Sequence, residues 1–148
     1  MFLIALAGEC FASAGSLDGL CFGVAADRYE LDELLLRAIG RVESRYNPHA
    51  INPTSGAIGV MQIHPWHLDR LKRHKITRKE LLDPCININV GAWILWEFVG
   101  QYGSTWRAVG AFGAGTKKDR DTELARIAYI KKVQAAYRKL QEEAAGSA

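Results

Sequence analysis

The sequence predicts a mainly α fold built as a single domain, and three stretches carry that prediction. Leu31, Leu34, Leu35, Ala38, Ile39 and Val42 fall at i, i+3, i+4, i+7, i+8 and i+11, the one-sided stripe of an amphipathic helix. From Ile86 to Val99 nearly every helical face is apolar, the pattern of a helix surrounded by others. Ile130, Val133, Tyr137 and Leu140 restore one-sided spacing near the C-terminus. A length of 148 residues suits one hydrophobic core, and no repeat, low-complexity tract or linker divides the chain.

In chain order, Phe2 to Ala7 form an apolar run that leads to Ala12-Ser13-Ala14. This resembles a secretory signal peptide over residues 1–14 cleaved after Ala14, with residues 15–148 as the mature domain. The run is short, lacks a preceding Lys or Arg and meets Glu9, so a frayed or buried N-terminal helix is the competing reading. Cleavage removes Cys10 and leaves Cys21 and Cys85, either a disulfide or two unrelated thiols as far as spacing goes. No other segment approaches the roughly 18 continuous apolar residues of a membrane span.

The first striped helix carries Asp32 and Glu33 in its opening turn, where carboxylates suit the dipole, and Glu43 at its far end. Asn47-Pro48, Asn52-Pro53 and Ser55-Gly56 then make a turn-rich loop. Short helices are expected over Trp66 to Arg73 and from a Thr77 cap to Leu82, the second stopped by Pro84. After the apolar Ile86–Val99 run, glycines bracket a short helix around Trp106 to Ala111. The last helix is expected from about Asp121, with Glu142 to Ala148 as a frayed tail.

Apolar residues make up 49 % and charged residues 24 %, a soluble globular balance. A net charge of +3 does not call for a nucleic-acid partner, and it suits an acidic polymer only weakly.

Glycosidic cleavage needs a carboxylic acid that keeps its proton near neutral pH, which partial desolvation provides. Glu43, at the end of a helix whose other face is core, has that placement. Position alone is weak evidence, because most such glutamates are solvated surface charges. The surrounding run supplies the rest: Val42 to Ile63 reads VESRYNPHAINPTSGAIGVMQI. It resembles the first motif of the soluble lytic transglycosylase family at Glu43, Ser44, Tyr46, Asn47, Ala50, Gly56, Ala57, Gly59, Met61 and Gln62. Asn87-Ile88-Asn89-Val90-Gly91, Ala108 to Gly115 and Tyr129-Ile130-Lys131-Lys132-Val133 resemble the three later motifs, in family order.

The resemblance spans roughly Cys21 to Leu140 and implies a lysozyme-like fold of the goose-type and transglycosylase kind. It implies an enzyme that cleaves the MurNAc–GlcNAc β-1,4 bond of peptidoglycan with 1,6-anhydro-MurNAc formation, Glu43 acting as the single acid/base. Ser44 is assigned to positioning and Met61 and Gln62 to the glycan-binding floor, with Gly59, Phe112, Ala114 and Tyr129 as further substrate-site residues. Cys21 before an Ala-rich stretch, and Asp83-Pro84-Cys85 ahead of the second motif, resemble the small transglycosylases of secretion, pilus and conjugation machines. That likeness implies a Cys21–Cys85 disulfide, a periplasmic location and partners in such a machine. The expected state is a monomer without cofactor, metal or stable membrane insertion. A hydrolysing goose-type lysozyme and a non-catalytic peptidoglycan-binding scaffold are the alternatives.

The chain departs from the family where the third motif's Tyr-Asn is replaced by Phe112-Gly113. The family's Tyr is taken to hydrogen-bond the catalytic Glu, so its loss is expected to leave Glu43 in a more apolar setting and less firmly held. No carboxylate lies between Glu43 and Asp69, and those beyond match no family catalytic position. His64 and His67 share a helical spacing but lack a third ligand. Ser44 and His49 lack an orienting group for nucleophilic chemistry. Of the four tryptophans, Trp93 and Trp96 are expected in the core, with Trp66 and Trp106 open to either role.

Overall fold

The computed structural model describes residues 21–103 and 105–147. The expected signal peptide and Cys10 lie outside those residues. Six α-helices carry the fold: α1 Phe22–Tyr29, α2 Glu33–Ser44, α3 Leu68–Leu71, α4 Pro84–Tyr102, α5 Thr105–Ala114 and α6 Arg120–Gly146. Single 3₁₀ turns flank α3 at Pro65–His67 and Lys72–His74, and another at Glu80–Leu82 leads into α4. No strand occurs among the described residues, only isolated antiparallel bridges joining Ile51 to Ile58 and Ile58 to Ile63.

Each long helix starts where a side chain takes up orphan backbone donors. Asp32 accepts from the amides of Leu34 and Leu35, so Leu31 stays outside α2. Asp83 accepts from Ile86 N, and Pro84 occupies the first position of α4. Pro84 therefore opens a helix rather than merely closing the preceding one, because at that position its missing N–H has no intrahelical role. Asp119 accepts from Thr122 N at the start of α6.

α4 is the hub, packed against α1 and α5. It buries Asn87, Ile88, Val90, Gly91, Ala92, Ile94 and Leu95, but Trp96 emerges 51 % exposed. The core placement expected for Trp96 does not hold, because it lies on the outer face of α4, about 200° around the helix from the buried Ile94. α1 buries Phe22, Ala25 and Ala26 between α2 and α4. A Cys21–Cys85 disulfide, Cα atoms 5.0 Å apart, fastens it to the first turn of α4. The bridge closes a loop with a sequence separation of 64, which by chain entropy stabilises the fold by about 4 kcal/mol.

α6 packs on α2 and α5, and it does not fray at Glu142: helix continues to Gly146. Glu143 meets Arg41 of α2 at 3.2 Å, and Tyr137 donates to Asp32 at the head of α2. These contacts supply the reason to stay helical that the polar tail itself lacks. Among the described residues no helix is long and apolar enough to cross a membrane.

Candidate active site

Glu43 occupies the last turn of α2, half-buried, and the chain turns sharply after it. Arg45 and Tyr46 both adopt left-handed backbone, φ 53° and 65°. Gln62, across the cleft, is a third such residue at φ 49°. Non-glycine residues in this region carry strain of about 1–3 kcal/mol each and persist only where their surroundings over-determine them. What holds them here is polar. Ser44 Oγ donates to Val60 O at 2.7 Å, so the residue next to the acid is tied to the opposite loop.

That loop forms the first wall of the cleft. Its anchor is Asn87 of α4, fully buried. Asn87 Oδ1 accepts from Met61 N at 2.7 Å, and Nδ2 donates to Ile58 O at 2.8 Å and Leu81 O at 2.9 Å. One side chain thus bonds three buried backbone groups, of which only Ile58 O has a second donor, the amide of Ile63. Gly59 passes so close, at φ +78°, that a Cβ there would collide with Asn87 and approach Leu81 O to 2.8 Å. Gln62 Nε2 completes the staple by donating to Gly59 O at 3.0 Å and Ala50 O at 3.1 Å.

The second wall is helical. Tyr129 of α6 donates its hydroxyl to Glu43 Oε1. Its ring lies against Gly113 of α5, where a Cβ would fall inside the ring's van der Waals surface. Gly113 therefore clears the space that Tyr129 occupies, and an Asn at 113 has no room while Tyr129 holds this position. The apolar setting expected from the loss of a hydroxyl at position 112 is corrected by the same contact, since Tyr129 supplies the donor from another element.

Burial raises the Glu43 carboxyl above its ordinary range, opposed by the Tyr129 hydrogen bond and by the charge of Lys132 one turn further along α6. The phenol of Tyr129 is pushed well above its usual range by burial and by the Glu43 charge beside it. It therefore stays a hydrogen-bond donor at any working pH. A carboxyl whose protonated form is favoured by desolvation, touching a permanent donor, can give a proton and remain stabilised as the carboxylate it becomes.

Glu43, Asn52, Ser55, Ala57, Gln62, Ile63, His64, Ile94, Phe112 and Gly113 line a cleft of about 250 Å³. Glu43 is the sole carboxylate in that lining. Of the residues expected at the substrate site, Gln62 and Phe112 line the cleft, and Tyr129 reaches it through Glu43. Ser44, Gly59 and Met61 lie in the scaffold beneath. Met61 is fully buried against Gly91, where a Cβ would come within 2.8 Å of its side chain. Ala114 is half-buried and outside the lining. Asn52, Ser55, Ile63 and Ile94 were not anticipated. The Asn-Pro turn marked Asn52 as a turn former, and it accepts from the amides of Thr54 and Ser55, both at 2.9 Å.

His64 and His67 part company. His64 is exposed at the cleft, whereas His67 is buried, its Nδ1 accepting from Arg70, and burial pushes its pKa down to about 4. A larger groove, about 500 Å³, runs along Trp66 and Trp96. Its carboxylate, Glu97, is held by Arg70 at 2.7 Å, so the desolvated acid belongs to the smaller cleft. Trp106 packs edge-on against Tyr137.

With this geometry in place, comparison with known proteins gives a consistent result. The family model of the transglycosylase SLT domain matches residues 20–135. Invasion protein IagB of Salmonella typhi is 42 % identical over 129 residues, covering 84 % of this chain and 79 % of that protein. X polypeptide of Escherichia coli is 41 % identical over 121 residues, 79 % of this chain and 72 % of that one. Among solved structures, the 70 kDa soluble lytic transglycosylase of Escherichia coli superposes with a TM-score of 0.67 at 28 % identity, over 81 % of this chain. The chain spans only 24 % of that enzyme's length.

Proposed function

The chain belongs to the transglycosylase SLT family, and on that premise we propose that it cleaves the MurNAc–GlcNAc β-1,4 bond of peptidoglycan with Glu43 as its single acid/base. The observation that carries this reading is a half-buried Glu43, hydrogen-bonded by Tyr129, as the sole carboxylate lining its cleft. Ordinary glycosidases place a second carboxyl about 5–9.5 Å from the first to act as nucleophile or base. With none in the lining, the second role falls to the substrate.

Glu43 donates its proton to the glycosidic oxygen as the bond from MurNAc C1 to that oxygen breaks, and GlcNAc leaves. The MurNAc acetamide stabilises the positive centre at C1. Glu43, now a carboxylate held by Tyr129, takes the proton from the MurNAc 6-hydroxyl while O6 bonds to C1. The 1,6-anhydro ring closes, no water is consumed, and the acid is restored. Gln62 of the loop wall and Phe112 of α5 line the cleft with Glu43 and contact the sugar in this reading.

A relative named an invasion protein, the disulfide and the signal-like start together support a further step. In this reading the chain works as a monomer in the periplasm, opening the wall for a secretion, pilus or conjugation machine. The test of the chemistry is mass spectrometry of muropeptides released by the purified mature protein. Anhydro products, lighter than hydrolysed ones by one water, are expected, and Glu43→Gln should release none while keeping its fold and glycan binding. Hydrolysed products, or a Glu43→Gln variant as active as its parent, would overturn the mechanism.

A further inference from the structure

We propose that the groove along Trp66 and Trp96 is a carbohydrate-stacking subsite that grips the glycan strand away from the bond being cut. The proposal rests on the reading of the cleft given above and names how that site holds a long substrate. Trp66 and Trp96 are 61 % and 51 % exposed, and with Arg70, Glu97, Phe98, Gly100 and Gln101 they line an open groove. Two large aromatic faces turned to water in one concavity mark a binding surface, since tryptophan is ordinarily among the better-buried residues.

The lining points to a neutral, hydroxyl-rich ligand. Among the described residues the one cation lining the groove is spoken for: Arg70 gives Nη1 to Glu97 at 2.7 Å and Nε to His67 Nδ1 at 3.2 Å. Its guanidinium also lies 4.3 Å from the centre of the Trp93 ring. An acidic peptide or a phosphate would find no free positive charge there. A pyranose offers an apolar C–H face to stack on indole and hydroxyls to meet Gln101 and the outer edge of the Arg70–Glu97 pair.

The groove and the cleft are also built on the same two elements. His64 lines the cleft and accepts from Trp66 N at 3.3 Å, so the turn that carries one carries the other. On α4, Ile94 lines the cleft and Trp96 to Gln101 line the groove, an advance along the helix of about 10 Å. In this proposal a strand that extends beyond Glu43 along the His64–Trp66 turn reaches the tryptophans. The platform is preformed, because Trp66 stacks on the buried His67 ring at 3.7 Å and His67 is fixed by Arg70. Little ordering is then needed on binding.

Gly100 allows a test that leaves the fold alone. It lines the groove on the Trp96–Glu97 face of α4, and a Cβ there meets nothing within 4 Å. The experiment titrates the Glu43→Gln chain with a β-1,4-linked N-acetylglucosamine oligomer and follows the indole N–H signals by NMR. Trp66 and Trp96 signals should move, and Trp96→Ala or Gly100→Leu should weaken the Kd about tenfold, a loss of 1.4 kcal/mol. In the catalytically intact chain, the same two variants should raise KM on long strands and leave turnover of the shortest muropeptides unchanged. Indole signals that stay still, or variants that bind like the parent, overturn the proposal. Should Trp96→Ala fail to fold, Gly100→Leu decides. Release of anhydro-muropeptides by the unsubstituted chain reports on Glu43 separately, so each reading can fail while the other stands.

Discussion

The two walls that enclose Glu43 are held by different physics. The loop wall, residues 50–63, has almost no regular structure and depends on side chains that bond its backbone: Asn87, Ser44 and Gln62. The helical wall needs none of these. α5 and α6 satisfy their own backbones, and the wall is shaped by fit, with Gly113 making way for the Tyr129 ring. A wall built from buried hydrogen bonds fails as a unit, because each lost partner strands a desolvated group. A wall built from packing degrades by increments and can tune the acid through one hydroxyl. Shape comes from the first wall and chemistry from the second.

The largest effect is expected where the loop wall is unpinned. Asn87→Leu leaves Met61 N and Leu81 O without these partners, takes from Ile58 O one of its two donors, and should destabilise the protein by about 4 kcal/mol. Chemical denaturation checks this, and a loss below 1 kcal/mol would mean that water replaces the amide. Activity should vanish with the loop, since Ser44 and Gln62 lose the backbone that they hold.

Next comes the helical wall. Gly113→Asn must displace the Tyr129 ring, which strips Glu43 of its donor and pushes the ring toward the cleft. A loss of turnover of about 10²-fold is expected, with stability falling far less than for Asn87→Leu. If the comparison is wrong, the two variants will lose stability alike.

Tyr129→Phe isolates the hydroxyl. The donated bond favours the carboxylate, so removing it raises the Glu43 pKa further. A general acid works in its protonated form, so activity declines as pH rises through that pKa, and the alkaline limb should move to higher pH. Turnover should fall about tenfold because the carboxyl is no longer held in one rotamer. Lys132→Gln should move the limb the same way by less, as its charge is a smaller influence than the hydrogen bond. A limb that moves to lower pH in either pH–rate profile would reverse the assignment.

The smallest effect is expected from Phe112→Tyr. With Tyr129 already holding Glu43 through Oε1, a second hydroxyl adds little to the orientation of the carboxyl, and the pH–rate profile should stay close to the parent's. A marked rise in turnover would show instead that position 112 is where the hydroxyl matters.

Much of this was legible in the residues. The spacing from Leu31 to Val42 gives α2 and leaves Glu43 at its end, the unbroken apolar run gives the central helix, and the motif around Glu43 locates the acid. Even the short α1 has a signal, in Phe22, Ala25, Ala26 and Tyr29 at i, i+3, i+4 and i+7. Local pattern suffices for such features because burying one face of a helix demands a period that the chain must display.

What surrounds the acid was decided elsewhere. Tyr129 reaches Glu43 across a sequence separation of 86, and no periodicity announces that its hydroxyl stands in for one missing at position 112. Gly113 reads as a lost side chain until the ring above it is seen. Asn87 reads as a polar fault in a greasy helix until the backbone of residues 58–61 and 81 arrives to meet it. Trp96 reads as core until the packing of α4 shows which of its apolar faces is left uncovered. Sequence by itself determined the family, the main helices and the place of the proposed acid at the end of α2, because each depends on residues near one another in the chain. The tertiary structure alone decided the partner of that carboxylate, the anchor of its loop and the exposure of the tryptophans, because desolvation and hydrogen bonding depend on which atoms meet in space.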